Sequence, residues 1–144
     1  MTKEAEKEFH TEIAMNLQKE EAFFNLGLLY FQEKDYPDAI KSWDSTVAIN
    51  PKNADAYNNL GASCLNFKND NASALVYFEK SLELNPDNTQ GCINILVCAQ
   101  NTHNEGLLVK YINMLVKKGM SIADIKAKGI TVSDELLKKI NSAQ

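Results

Sequence analysis

Two copies of one pattern follow each other in the chain, and this internal repeat constrains the fold more than any other feature. In each copy an aromatic residue, a Leu-Gly pair, an alanine, a second aromatic residue and an Asn-Pro pair come in the same order. The copies are Phe23, Leu26-Gly27, Ala39, Trp43 and Asn50-Pro51, then Tyr57, Leu60-Gly61, Ala74, Phe78 and Asn85-Pro86. The Leu-Gly pairs are 34 residues apart and the Asn-Pro pairs 35. A period of this size is typical of repeat proteins, whose similar units stack on one another.

Within each copy the spacing predicts two helices. The first helix is predicted over about 21–33. Residues at positions i, i+3, i+4 and i+7 lie on one packed face of this helix, and they are Phe23, Leu26, Gly27 and Tyr30. Asp35 is placed to cap the second helix, and Pro37 falls in its first turn, where a missing N–H costs little. Asn50-Pro51 ends that helix. Asn53 and Asn88 are placed to cap the helices that follow the two Asn-Pro pairs.

This pattern resembles the tetratricopeptide repeat family over residues 20–88. The resemblance implies an all-α array of helical hairpins, a right-handed α-solenoid of about three repeats with capping helices, that binds proteins or peptides. We predict a single domain over 1–144. Its predicted parts are an N-terminal capping helix (1–19), repeat 1 (20–53), repeat 2 (54–88), a divergent repeat 3 (89–118) and C-terminal capping helices (119–144).

The two flanks carry apolar residues outside the repeats. Residues 3–17 form a predicted amphipathic helix with Ala5, Phe9, Ile13 and Leu17 on one stripe. Ala5 and Phe9 lie 34 residues before Ala39 and Trp43, at the equivalent positions of the pattern. This segment is therefore either a degenerate second helix that caps the first repeat or the edge of a longer array of repeats. At the other end we predict a short helix over 121–128 that Gly129 terminates, and a helix over 134–142 that Ser133 caps.

The C-terminal segment contains too many apolar residues for a free tail. They are Ile122, Ile125, Ile130, Val132, Leu136, Leu137 and Ile140. We expect them to cover the open end of the stack, as terminal repeats require. Two alternatives remain open, in which this segment fills the groove or docks on another subunit to form an oligomer.

The charge pattern and the composition limit the classes of binding partner that we expect. All fifteen basic residues are Lys, and the absence of Arg disfavours specific nucleic-acid readout. Residues 1–105 carry eight Lys against sixteen acids, and residues 106–144 carry seven Lys against three acids. An acidic body favours a basic protein or peptide partner, or head-to-tail self-association. We predict no nucleic-acid partner.

Other classes of protein are disfavoured by motifs that the sequence lacks. No apolar run is long enough to span a bilayer and the N-terminus is too polar for a signal, so we predict no membrane insertion and a cytoplasmic location. Cys92, Cys98 and His103 are turned away from one another by roughly 120° and 140° on a helix, which disfavours a metal site. With no phosphate loop or nucleophile motif either, we predict no cofactor, no metal and no enzymatic activity.

In the family that the chain resembles, the first helix of each pair lines a concave groove. The resemblance places Asn25, Asn59 and Asn94 in a row facing that groove, where amides can hydrogen-bond an extended peptide backbone. The other predicted groove positions are Phe24, Leu28, Phe31, Asn58, Leu65, Ile93 and Val97, with Ala62 and Gln100 in the same register. Exposed Phe24, Leu28 and Phe31 would form an apolar interaction patch. In the alternative reading, the asparagines are ordinary helix-surface residues and a terminal segment covers the patch.

One subfamily of these domains clamps the carboxylate tails of heat-shock chaperones. Domains of that subfamily hold the carboxylate tail with Lys and Asn in the first repeat, Asn in the second, and Lys and Arg in the third. At those places this chain has Phe24, Leu28, Asn59, Gln90 and Asn94. Only Asn59 matches and no cationic anchor is present, so we do not expect the clamp activity.

Overall fold

The computed structural model describes residues 3–142, apart from the side chain of Phe9. The described residues form eight α-helices and no β-strand, which confirms the all-α prediction. The helices are α1 (Lys3–Gln32), α2 (Tyr36–Ile49), α3 (Ala54–Lys68), α4 (Asn71–Leu84), α5 (Thr89–Asn101), α6 (Glu105–Lys117), α7 (Ile122–Ala127) and α8 (Asp134–Ser142). The domain predicted over 1–144 reaches two residues beyond this description at each end.

The first six helices form three hairpins, α1–α2, α3–α4 and α5–α6, as the repeat pattern predicts. Successive hairpins also touch, because α2 packs against α3 and α4 packs against α5. Beyond the hairpins, α8 lies against α6. The chain is therefore a linear stack in which each unit contacts its neighbours along the sequence.

Each helix from α2 to α8 begins with a side-chain cap. In every case the capping oxygen accepts a hydrogen bond, 2.9–3.3 Å long, from the backbone N–H three residues later. The caps are Asp35, Asn53, Asp70, Asn88, Asn104, Ser121 and Ser133. Such a cap contributes about 0.5–2 kcal/mol, so the sequence specifies each helix start locally. The four caps predicted above are confirmed.

The turn inside each hairpin has the same unusual backbone. Lys34, Asn69 and His103 occupy equivalent places after α1, α3 and α5, with φ angles of 61°, 51° and 53°. The backbone of all three residues is in the left-handed region, where asparagine and histidine are enriched among non-glycine residues and lysine is not. The repeated geometry shows that all three hairpins turn in the same way, including the divergent third one.

The two helices predicted over 3–17 and 21–33 are a single helix in the structure, α1. The four residues at 16–19 occupy the place of the Asn50-Pro51-Lys52-Asn53 turn but contain no proline, so nothing stops the helix. The first half of α1 therefore runs on beyond the hairpin. Ile13 and Leu17 are exposed there, so their stripe covers no core among the described residues.

Glu20 links α1 by hydrogen bonds to the turn between α2 and α3. Its Oε1 accepts a hydrogen bond from Asn50 Nδ2 at 2.9 Å and another from Asn53 Nδ2 at 2.8 Å. Farther along, the indole Nε1 of Trp43 donates to the carbonyl oxygen of Phe24 at 3.1 Å. These contacts fix the C-terminal half of α1 against α2 and the start of α3.

The buried apolar residues form two clusters of unequal size. The smaller cluster, between the first two hairpins, contains Ala39, Trp43, Ala56 and Leu60. The larger one reaches from α4 to α8 and includes Phe78, Leu96, Ile112 and Leu115. Most of the apolar core therefore lies in the C-terminal part of the stack.

The C-terminal segment belongs to that larger cluster. Both predicted helices are present, as α7 and α8, and Gly129 follows α7 with a φ of 86°. The buried side chains of the segment are Ile125, Ile130, Val132, Leu136 and Ile140. They lie in one cluster with Ile112 and Leu115 of α6, as expected for a segment that covers the end of the stack. These side chains have little surface left for contact with another subunit.

Candidate peptide-binding site

Amide side chains join the first helices of the second and third hairpins. Asn94 Nδ2 on α5 donates to Asn58 Oδ1 on α3 at 2.9 Å, and Gln90 Nε2 donates to Asn94 Oδ1 at 3.0 Å. A hydrogen bond between these two helices requires that both side chains lie on the same side of the stack. The predicted positions Asn58 and Asn94 thus share one polar surface.

The remaining amides of the predicted row have free hydrogen-bonding groups. Asn25 is exposed on α1 and Asn59 is half-buried on α3. Within residues 3–142, neither side-chain amide has a hydrogen-bond partner. Each can both donate and accept, so each is able to hydrogen-bond a peptide group.

The apolar positions of α1 differ in how much surface they offer. Leu28 is exposed, whereas Phe24 is half-buried. The Phe31 ring packs edge-on against Tyr36, with centroids 5.4 Å apart, and tilted against Trp43 at 5.8 Å. Phe31 is therefore covered in part by two residues of its own hairpin.

Positions on α3 and α5 are more buried than the repeat pattern predicts. Leu65 and Val97 are half-buried and pack against the larger apolar cluster. Ile93 is 4% exposed and belongs to that cluster. Because it leaves a ligand almost no surface, we correct the prediction and remove Ile93 from the groove-lining residues.

At the end of α5 the C-terminal segment contacts Gln100, which lies in the register of the predicted groove positions. Gln100 Oε1 accepts a hydrogen bond from the backbone N–H of Thr131 at 2.7 Å, and Gln100 Nε2 donates to the Gly129 carbonyl at 3.3 Å. Both ends of the Gln100 amide are thereby used. A ligand would have to displace this segment to reach Gln100.

The structure also shows residues that the pattern did not single out. A shallow recess of about 340 Å³ at the first hairpin is lined by Leu17, Glu20, Glu21, Phe24 and Asn53. The signal for Glu21 was present in the sequence, since Asp55 follows it by 34 residues at the same register. The recess combines an apolar wall with acidic side chains.

The cysteines lack the properties of reactive thiols. Cys92 and Cys98 are buried, and Cys92 Sγ contacts Met114 Sδ at 3.8 Å. Burial raises the pKa of the Cys98 thiol to about 11, so it stays protonated at neutral pH. His103 lies in an exposed left-handed turn, away from them. In the part of the chain that the structure describes, no three His, Cys, Asp or Glu residues are grouped to hold a metal ion.

None of the helices formed by residues 3–142 combines the length and the apolar character that crossing a bilayer requires.

Two models of one repeat family match the chain, the TPR repeat over residues 27–66 and the tetratricopeptide repeat over residues 54–88. The chain is similar to Protein STIP1 homolog of Dictyostelium discoideum, with 38% identity over 76 residues. It is also similar to the peroxisomal targeting signal receptor of Saccharomyces cerevisiae, with 30% identity over 76 residues. Each match covers 53% of this chain but only 13% and 12% of the respective relatives. The chain thus matches about an eighth of the length of these relatives.

A solved structure extends the likeness over most of the chain. The TPR2B domain of yeast Sti1, solved in a complex with pHsp70, superposes with a TM-score of 0.66 at 20% identity. The superposition covers 88% of this chain and 99% of that domain. At this level of identity the likeness concerns the fold alone.

Proposed function

Because the chain belongs to the tetratricopeptide repeat family, we propose that it is a non-catalytic adaptor that binds a peptide or helix of another protein along its first helices. The observation that carries the proposal is the hydrogen bond between Asn94 and Asn58. It brings amide positions of the second and third hairpins onto one surface, and in our proposal the free amides of Asn25 and Asn59 lie beside them. A row of amides can hydrogen-bond a peptide backbone whatever its sequence.

The charges of this surface favour a neutral or basic ligand. Glu21 and Asp55 are exposed at matching positions of α1 and α3, and Gln90 follows at that place on α5. The three positions where the chaperone-tail clamp has cations in its first and third repeats hold Phe24, Gln90 and Asn94 here. An acidic peptide would therefore meet repulsion without a cationic anchor.

The relatives support binding of this general kind. The similar yeast domain was solved in a complex with pHsp70, and one relative is named as a receptor for a targeting signal. For this chain we propose the same kind of role with a different ligand chemistry. Leu28 and Phe24 would contact apolar side chains of the ligand, and the asparagines would contact its backbone.

The test starts with selection of random peptides by display on the immobilised whole chain, followed by fluorescence anisotropy with a selected peptide. Leu28→Lys should weaken binding at least about tenfold, because a bound apolar side chain would desolvate the new charge. Asn59→Ala should weaken binding about fivefold through one lost hydrogen bond. Val76→Lys on α4 is the matched control, since Val76 is exposed on a second helix, and it should leave affinity unchanged.

Two results would contradict the proposal that the groove binds a peptide. One is a selection that yields no binder from a well-folded chain. The other is equal loss of affinity in the Leu28→Lys and Val76→Lys variants. Acidic peptides that outcompete neutral and basic ones would contradict the proposed ligand chemistry while leaving an adaptor role in place.

A second candidate function is a structural subunit whose groove is occupied by its own chain. The contacts of Gln100 with Gly129 and Thr131 favour it, because they hold the C-terminal segment against α5. Gln100→Ala should release this contact. Peptide affinity that rises in this variant would support self-occupation of the groove at its third hairpin, and unchanged affinity would contradict it.

A further inference from the structure

One face of α1 is exposed although its equivalents in the other hairpins are buried. Leu26 is 37% exposed, whereas Leu60 and Ile95, at the same place in the second and third hairpins, are 0% exposed. Leu29 is 50% exposed, whereas its equivalents Ser63 and Cys98 are 0% and 1% exposed. Ala22 is exposed and corresponds to the buried Ala56 and Gly91.

The cause of this difference is the position of α1 in the stack. The second helix of the preceding hairpin covers α3 and α5 on this face, since α2 packs on α3 and α4 packs on α5. Among the described residues no helix takes that place on α1. The exposed residues of α1 thus form a helix-packing surface of the same kind, without its partner helix.

The exposed face also extends into the first half of α1. At 100° per residue, Met15 lies within about 40° of Ala22, Leu26 and Leu29 on the helix. Met15 is 53% exposed, and the unbroken α1 carries it in line with the others. The four residues, which we call the end face, span about 21 Å of one helix, with the 7, 4 and 3 residue spacings of a helix-pairing seam.

Met15 and Leu29 of the end face are symmetric in sequence about Ala22, whereas the counterpart of Leu26 in the same register is Gln18. Met15 lies seven residues before Ala22, and Leu29 lies seven residues after it. In an antiparallel pair with a two-fold axis at Ala22, Met15 of each copy faces Leu29 of the other. The small Ala22 side chains at the axis allow close approach of the two helices.

The charged residues of α1 are compatible with this register. Lys19 faces Asn25 of the second copy, and Glu12 faces Gln32. Thr11 faces Glu33, so between residues 11 and 33 no like charges stand opposite each other. The end face is therefore complementary to itself, which an isologous interface requires.

We propose that the end face binds the end face of a second copy of this chain, forming an antiparallel dimer about a two-fold axis near Ala22. None of the four end-face residues is a proposed groove residue, and Asn25 lies at the border between the two surfaces. It involves one helix from each copy and is small for a protein interface, so we expect a dimer that forms as the concentration rises. It supplies α1 with the partner helix that α3 and α5 already have.

Sedimentation equilibrium of the whole chain across a wide concentration range tests the proposal. We expect the mass to rise from 16.1 kDa towards twice that value. Leu29→Glu alone, or Met15→Lys alone, should keep the chain monomeric, because each places a charge against an apolar side chain. Val76→Glu is the control, since Val76 is 65% exposed on α4, outside the end face, and it should dimerise like the unmodified chain.

The double variant Met15→Lys with Leu29→Glu tests the register itself. In the proposed pairing every new Lys faces a new Glu across the axis, so the dimer should return and should weaken with added salt. Circular dichroism establishes that each variant remains helical. A chain that is monomeric at every concentration overturns the proposal, and so does a dimer that survives both single variants.

Discussion

Gly61 lies so close to the ring of Phe78 that a Cβ at residue 61 would be 2.6 Å from Cε1 of that ring. Gly27 has the same relationship to Trp43, where a Cβ would lie 2.4 Å from the indole Nε1. In both hairpins an aromatic residue of the second helix takes the space that a side chain on the first helix would need. The Leu-Gly pair and the aromatic residue thus recur together because they form one contact.

This contact makes Gly61 intolerant of the smallest substitution. We predict that Gly61→Ala lowers the free energy of unfolding by roughly 1–3 kcal/mol, because the Phe78 ring must shift to admit the methyl group. Gly106→Ala is the control. Its Cβ would meet only Asn104 Oδ1 at 3.6 Å, so we expect no loss of stability there. Urea unfolding measures both, and equal stabilities of the two variants would contradict this account.

The left-handed turn residues predict a stabilising change. Lys34 adopts a φ of 61°, where a residue with a Cβ is strained by about 1 kcal/mol or more and glycine is not. We predict that Lys34→Gly raises the thermal midpoint of unfolding. Lys41→Gly, the same substitution at an exposed site inside α2, should lower it by contrast, because glycine destabilises a helix interior by up to about 1 kcal/mol. A Lys34→Gly variant that melts below the unmodified chain would show that the turn is not strained.

The C-terminal segment is predicted to stabilise the whole stack. Ile125 is fully buried in the cluster that also contains Ile112 and Leu115. Ile125→Ala should therefore reduce the free energy of unfolding by about 2–5 kcal/mol, from lost burial and the cavity left behind. The control is Ile122→Ala, one helical turn earlier and half-buried, which should cost clearly less. Equal costs at both sites, measured by urea unfolding, would mean that the segment is only loosely docked.

Tyr111 predicts a dependence of stability on alkaline pH. Burial, and then the nearby Glu79 carboxylate, raise the pKa of Tyr111 to about 12. In the unfolded chain a tyrosine titrates near 10. Between those values the folded chain holds the proton more tightly, so the stabilisation is complete below pH 10 and is lost as pH rises towards 12. Tyr111→Phe should show a shallower loss of stability over this range, and an identical slope would refute the assignment.

Much of the fold follows from local chemistry that the sequence displays. Proline and asparagine at Asn50-Pro51 and Asn85-Pro86 end one helix and begin the next, and these boundaries were predicted correctly. The error at α1 has the same origin. Regular repetition suggested a turn near residue 17, yet that stretch has no proline, and Lys19 stands where Asn53 caps the following helix. The local signal was present, and the repeat pattern was given too much weight.

The candidate site was less predictable, because burial depends on neighbours distant in sequence. Ile93 has the register of a groove residue, but it lies in a cluster to which α4, α6 and the C-terminal segment all contribute. Gln100 is taken by two backbone groups about thirty residues away. Periodicity gives the side of a helix on which a residue lies. It does not show what another part of the chain places there.

The unequal apolar clusters imply that the chain does not open uniformly. Amides in α5 and α6, which line the larger cluster, should exchange with solvent deuterium only when the whole chain unfolds. Those in α1 and α2 rest on four fully buried side chains and should exchange through smaller, more frequent openings. The softer half contains Asn25 and Leu28 as well as the end face. Binding of a ligand to the groove, or of a second copy to the end face, should therefore slow amide exchange in α1 and α2, where the free chain is least protected.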